Sequence, residues 1–485
     1  RRRRRRPRES ARVVRPVGGG RAAAAATAVS RLVPPKGSMR RGSALFAVSQ
    51  GLGMAVGFLS SMLLVRVAPR ESVASYLLLL QGITAVSLLV QLGLSQAVLR
   101  FAPLARGRGG LAATRRLERR LFTIQIAAWL VAAPVLVLAW PGLAWRLGAP
   151  ELVDAAPWVI GAAVLISFSA LADALLRVAR FYAASALLSH LLVRGLVAAC
   201  FAALYVAHGQ VHSWRLLASV YVGAHLLAAV CFAFALPGTA RGLESEPRDA
   251  LPPPGIRTIL GTTTAMALRG AVGVLMSSCD LWILSWARPH AEVAVYGVML
   301  SLLQVMVLLP TIFSLVVPQE FAVLHAEGRR AELEWLARTS STLVAMLSLA
   351  TFAALAVLGR PVLAIAFGPE YVSGWPVLLI LAAGRFCDSA FGSAGYLLQM
   401  TGYHVLLLRM TIAAAAANVL LALALARPFG SLGVALATTA CLIGLNVAMV
   451  AFARRRVGVR TFVYLSPVQW KRVVGTALGA QAAAR

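Results

Sequence analysis

The sequence predicts an all-α polytopic membrane protein, with about 12 transmembrane helices in two pseudo-symmetric six-helix lobes. Three observations carry that expectation. The 485 residues are 59% hydrophobic and 13% charged, with a mean hydropathy of +0.78, whereas soluble domains carry about 25% charged residues. The apolar residues fall in runs of roughly 20, long enough to cross about 30 Å of hydrocarbon as helix. One loop sequence is also written twice, half a chain apart.

That repeat pairs "PGLAWRLGAPELVDAAP" (Pro141–Pro157) with "PVLAIAFGPEYVSGWP" (Pro361–Pro376). With one gap at Ala149, eight of sixteen aligned positions are identical. A second echo links "RVAPRESVASY" (Arg66–Tyr76) to "SWARPHAEVAVY" (Ser285–Tyr296). Glu370, matched by Glu151, is expected to cap its turn in both halves.

Taken in order, residues 1–41 come first as a basic tail opening "RRRRRRPRESARVVRPVGGG". Its charge, Gly and Pro read as disordered. Either it is a basic arm lying on anionic lipid, or it lies upstream of a natural start at Met39. The N-lobe, 42–240, holds spans at about 44–65, 74–99, 121–140, 157–176, 183–206 and 214–236. A polar linker, 241–257, follows. The C-lobe, 258–456, holds spans at about 258–286, 291–318, 339–358, 375–400, 404–426 and 431–453. The tail 457–485, broken by Pro467, Lys471 and Arg472, reads as cytoplasmic or interfacial. Six spans per lobe is an even number, so both lobes insert the same way, related by an axis along the membrane normal.

Arginine placement sets the orientation. Connections after even-numbered spans hold most of the charge: Arg106, Arg108, Arg115, Arg116, Arg119 and Arg120, then Arg241, Arg248 and Arg257, then Arg329, Arg330 and Arg338. Arg454, Arg455 and Arg456 follow the last span. Both termini are therefore expected in the cytoplasm. The net charge of +30 would suggest nucleic acid in a soluble protein. Here the bases are segregated into tails and loops, so nucleic acid is not an expected partner. The five cysteines lie in apolar segments without ligand-like spacing, and neither a disulfide framework, a metal site nor a cofactor is expected. No nucleophile–base pair or phosphate-cradling loop is present in the sequence, which disfavours an enzyme.

Several patterns, in order, resemble one family: "LLVRVAPRESVASYLLLL", "DLWILSWARPHAEVAVYGVML", "PQEFAVLHAEG", "FGPEYVSGWPVLLIL", "LLQMTGYHVLLLRMTIAAAAANVLL" and "GSLGVALATTACLIGLNVAMVAFARRRVGV". Over roughly Gly42 to Arg460 the chain resembles bacterial polysaccharide-biosynthesis membrane proteins. These are the oligosaccharide flippases of the multidrug/oligosaccharidyl-lipid/polysaccharide exporter superfamily. The resemblance implies two lobes around a central cavity, alternating access, and an undecaprenyl-pyrophosphate-linked oligosaccharide as cargo in a bacterial inner membrane. Membrane lipids, a polysaccharide polymerase and glycosyltransferases are the partners it implies. A drug antiporter of the same superfamily and a non-transporting assembly scaffold are the alternatives. Span one contains no acid, which argues against the antiporter.

Moving an anionic head through hydrocarbon calls for fixed cations in a wet path, so ionisable residues within the spans are the candidates. Arg194, Arg269, Arg385 and Arg409 are the candidate lining for pyrophosphate or acidic sugars, arginine's fork suiting phosphate. Each has an alternative as the partner of an acid or a snorkelling side chain. His190 shares a helical face with Arg194 at i−4. Asp280 and Asp388 are the ion-coupling or gating candidates. Asp388 alternatively bridges Arg385, three residues before it, and Asp280 alternatively caps a helix end. Asp280 lies eleven residues, three turns, from Arg269, and a repeat offset of 219 sets it opposite Ser61. Asp173 with Arg177 reads as a structural i, i+4 pair. Gly53 and Gly57 form a G-x-x-x-G pair suited to close helix packing.

Overall fold

A computed structural model describes residues 36–179, 181–241, 272–273, 276 and 278–464. Among them the chain is helical throughout, without strands. The elements are α1 (Lys36–Val67), α2 (Arg70–Gln91), α3 (Leu94–Arg146), α4 (Ala156–Val178), α5 (Tyr182–Ala186), α6 (Val193–His208), α7 (Trp214–Arg241), α8 (278–287), α9 (His290–Ala326), α10 (Arg330–Ala366), α11 (Trp375–Phe391), α12 (Ala394–Met400) and α13 (His404–Phe452). A π segment, Leu187–Leu192, joins α5 to α6. Nine helices among the described residues are long and apolar enough to cross a membrane, ten if the bent pair α11–α12 counts as one span. This is a multi-pass membrane architecture. Span seven, 258–286, and the linker lie largely outside the described residues.

Two long helices fold back on themselves. In α13 the Thr438 hydroxyl lies 3.2 Å from the Asn418 side-chain carbonyl. Twenty residues of straight helix would hold them about 30 Å apart. The reversal sits at Gly430, whose φ of 57° and ψ of −138° are not helical, so α13 is the expected pair of spans eleven and twelve. In α3 the Gln125 amide donates to the Val90 carbonyl at 3.3 Å. A straight helix from Leu94 would carry Gln125 about 46 Å away, so the chain turns back between them, as the expected loop between spans two and three requires. Two expected spans are interrupted. Span two breaks at Leu92 and Gly93, both left-handed. Span ten bends by 45° between α11 and α12.

The repeated loops form the same element. Pro150–Ala155 and Pro369–Gly374 are both single 3-10 segments, offset by 219, each leading into a helix with proline in its first turn. The second echo starts α2 at Arg70 after Pro69 and α9 at His290 after Pro289, with both prolines extended. The two repeats dock crosswise. The 3-10 loop of the first half meets the α8–α9 turn of the second, where the Ser285 hydroxyl donates to Gly148 O at 3.2 Å. The 3-10 loop of the second half meets the α1–α2 turn of the first, where Arg66 donates to Ile365 O at 3.3 Å and Phe58 meets Phe367 edge-on at 5.7 Å. The end carrying these contacts is the rim.

Apolar packing divides along the same axis. From the rim inward, one cluster draws on both halves, including Leu64, Tyr76, Trp140 and Val159 of the first with Leu284, Tyr296, Phe367 and Leu378 of the second. At the opposite, arginine-bearing end each half keeps its own clusters: Leu94, Val98, Leu121 and Leu175 in one, Phe321, Leu333, Leu398 and Leu407 in the other. Lipid tails are as apolar as leucine, so contact area alone does not hold helices together here, and close packing and polar bonds count for more. Among the described residues the halves are therefore joined at the rim and packed separately at the other end.

Residues 458–464 run along that separate end of the second half. Val463 N donates to Ala390 O at 3.1 Å and Tyr464 N to the Thr342 hydroxyl at 3.1 Å. Arg338 donates to Phe462 O at 3.2 Å and covers the Tyr464 ring at 4.0 Å. The rest of the tail, 465–485, lies outside the described residues, as does the basic tail up to residue 35. At the α9–α10 connection Arg329 bonds Glu332 and Glu327, and these two carboxylates raise its pKa further, Glu332 contributing most.

Candidate functional site

Among the described residues, each half holds a polar constellation inside its helices. In the first half, α1 presents Gly53 and Gly57 toward α6. A side-chain carbon on Gly53 would stand 2.7 Å from His190 O and 2.8 Å from Arg194 Nη1, and one on Gly57 would stand 3.5 Å from Arg194 Cδ. The G-x-x-x-G pair does permit close approach, but what it admits is an arginine lying across the groove. Among the described residues Arg194 Nη1 is buried without a hydrogen-bond partner, and Arg194 forms no ion pair. His190 meets the same glycine, so the shared face stands.

The helix bearing Arg194 is held from α4. Asp173 is buried, pairs with Arg177 as expected, and also accepts from Ser185 at 2.5 Å and Ser189 at 2.7 Å. Ser189 lies in the π segment, a register change often found at functional sites.

In the second half, Asp280 is 1% exposed and accepts from Thr438 at 2.7 Å, Tyr296 at 3.0 Å and Asn418 at 3.4 Å. Asp280 does not cap a helix end: it joins α8, α9 and both arms of α13. The four residues form a cluster of hard oxygen donors with one carboxylate, the donor class that alkali and alkaline-earth cations prefer. A carboxylate there can equally carry a proton. Ser61, at the paired position, only donates to Gly57 O at 3.1 Å.

The remaining candidates are scattered. Arg385 and Asp388 form the anticipated intrahelical pair at a loose 3.9 Å, and Asp388 accepts more closely from Asn446 at 2.8 Å. Arg409 is exposed near the start of α13 and forms no ion pair among the described residues. Arg269 lies outside the described residues. Glu151 and Glu370 do not cap their turns, since neither 3-10 segment has a side-chain cap. Glu151 instead accepts from Ser75 at 3.1 Å and faces His290 of the other half at 3.4 Å. Sequence reasoning missed Tyr296, Asn418, Thr438 and Asn446. The two asparagines were findable as lone amides in long apolar runs.

No family model matches the sequence, and no curated protein matches it. Solved structures do match its fold. One is described as the inward-facing conformation of a multidrug resistance MATE family transporter of the MOP superfamily. It has a TM-score of 0.68 at 16% identity, covering 84% of this chain and 94% of the other. The lipid II flippase MurJ in an inward closed conformation has a TM-score of 0.64 at 12% identity, covering 84% and 87%. A MOP superfamily transporter from Pyrococcus furiosus has a TM-score of 0.59 at 15% identity, covering 88% and 99%. The fold is that of these transporters.

Proposed function

We propose that the chain is a transporter of the MOP superfamily that flips a lipid-linked oligosaccharide, carried on undecaprenyl pyrophosphate, across a bacterial inner membrane. The observation that carries this reading is Arg194, a half-buried guanidinium seated in a glycine groove, whose buried Nη1 has no partner and which has no paired acid among the described residues. A fixed, uncompensated cation inside a helical bundle is costly unless an anion visits it. A pyrophosphate linkage supplies one, and arginine's fork matches it. Arg269, Arg385 and Arg409 extend the cationic lining when cargo is bound.

The packing supports an alternating-access cycle. With the arginine-rich connections in the cytoplasm, the joined rim faces outward and the separately packed ends open inward, as an inward-facing carrier requires. The linker and both termini are then cytoplasmic, the first half forming the N-lobe and the second the C-lobe. Asp280, with Tyr296, Asn418 and Thr438, binds the coupling proton or Na⁺, and Asp388 gates through Asn446. A polysaccharide polymerase and glycosyltransferases act before and after the flip.

Deleting the gene tests the reading. Surface polysaccharide is expected to be lost while lipid-linked glycan accumulates inside the cell, and normal surface polysaccharide in a clean deletion contradicts it. The resemblance to MATE-fold structures favours a second reading, extrusion of small molecules. A drug-accumulation change on expression, without any glycan phenotype, is its signature.

A further inference from the structure

The crosswise docking at the rim makes two contacts that are equivalent by repeat and different in chemistry. Arg70 and His290 are each the first residue of a helix after an extended proline, and their numbers differ by 220. Each reaches the 3-10 loop of the opposite half. Arg70 lies over the Tyr371 ring, 5.4 Å from its centroid. His290 Nε2 faces Glu151 Oε1 at 3.4 Å and Ser285 Oγ at 3.2 Å. Glu151 also accepts from Ser75, which fixes its carboxylate toward the second half. Its twin, Glu370, is exposed. One contact thus carries a permanent cation and the other a histidine beside a carboxylate.

We propose that Glu151 and His290 form a proton-sensitive clasp that holds the rim closed and tightens in acid, beside the permanent Arg70–Tyr371 clasp. The proposal rests on the alternating-access reading, because a clasp matters only if the rim opens. Histidine is the side chain whose charge changes between about pH 5 and 8, and its cation attracts the carboxylate facing it. Protonation therefore favours the closed rim, and the gain is lost as pH rises.

Most of the other charges around His290 are engaged elsewhere. On its own segment Arg288 pairs with Glu292 at 3.9 Å and donates to Arg427 O at 2.8 Å, while Glu292 accepts from Ser431 N at 2.7 Å. From α13, Arg427 stacks on Trp286 at 4.3 Å. From α2, Arg70 is on Tyr371, and Glu71 sits beside Arg70 at the helix start. The loop geometry is tight enough to register such a change. A side chain on Gly148, at φ +76°, would stand 2.6 Å from Ser285 O, so the two halves touch backbone to backbone.

Spin labels on Asp154→Cys and Glu370→Cys, exposed in the 3-10 loops of the two halves, report the rim's width in nanodiscs by pulsed electron–electron resonance, with the five native cysteines replaced. In the wild-type background the ratio of narrow to wide rim is expected to rise about two- to fivefold from pH 8 to about pH 5.5, the range of a partly exposed ion pair. His290→Gln and Glu151→Gln are expected to flatten that response. A wild-type ratio that ignores pH, or a response that survives both variants, overturns the clasp and leaves alternating access standing. A single rim width at every pH overturns both.

Discussion

Thr438 donates to Asp280 at 2.7 Å across 158 residues of chain, tying the far arm of α13 to α8 inside the second half. With Tyr296 and Asn418 also donating, the carboxylate is satisfied only by neutral groups among the described residues. In the proposed cycle its charge is balanced by a coupling cation. Asp280→Asn removes that charge at nearly constant shape. The expected outcome is a protein of normal abundance whose transport responds at least about tenfold less to a Na⁺ or proton gradient, a coupling of about 1.4 kcal/mol. Flux in proteoliposomes with and without each gradient is the check. Asp280→Ala would add the cost of orphaned buried donors, about 1–3 kcal/mol each, and is expected to lower the yield as well.

Arg194 forms no ion pair among the described residues, so removing its charge breaks none there. Arg194→Gln is expected to reach the membrane at normal abundance and lose at least about tenfold in flipping. Arg194→Lys is expected to recover only part, because a point charge lacks the bidentate fork. Surface glycan measured against protein level distinguishes a transporter from a scaffold, which should tolerate both changes.

Gly53 and Gly57 make unequal predictions. Alanine at Gly53 meets His190 O and Arg194 Nη1 at 2.7 and 2.8 Å, an overpacking that costs about 1–3 kcal/mol and displaces the guanidinium. Alanine at Gly57 meets Arg194 Cδ at 3.5 Å, an ordinary contact expected to change stability by about 0.5 kcal/mol or less. Thermal unfolding of the two purified variants gives the comparison. Equal losses would remove the groove from the account.

Gly392 stands at φ +77° where residues 458–464 cross the α11–α12 break, and a side chain there would collide first with the Ser341 side chain and also stand 2.8 Å from Thr461 O. Gly392→Ala is expected to cost about 1–2 kcal/mol from the left-handed backbone alone, and to release the strap. Limited proteolysis should then cut after Arg460 faster than in the wild type.

Sequence pattern carried much of this fold because its main signals are local. A run of about 20 apolar residues is a span wherever it packs. The duplicated "PE" loops reappear as the paired 3-10 segments at Pro150 and Pro369. The site was legible only in part. Asp280 and Arg194 stand out because charge is rare in an apolar run. Tyr296 and Thr438 do not, and Asn418 shows only as a lone amide, since each becomes a partner of Asp280 only when distant spans pack together. Glu151 illustrates the same limit. Its place at the start of a turn suggested a cap, but its carboxylate turns toward Ser75 and His290, and no local pattern records which half lies opposite a loop.

On the proposed function, this chain turns a lipid-linked glycan from one leaflet to the other. Spheroplasts treated with a membrane-impermeant glycosidase measure that sidedness directly. Lipid-linked glycan is expected to be digested in cells carrying the protein and protected in cells lacking it or carrying Arg194→Gln. Equal digestion with and without the protein would show that it does not flip this glycan.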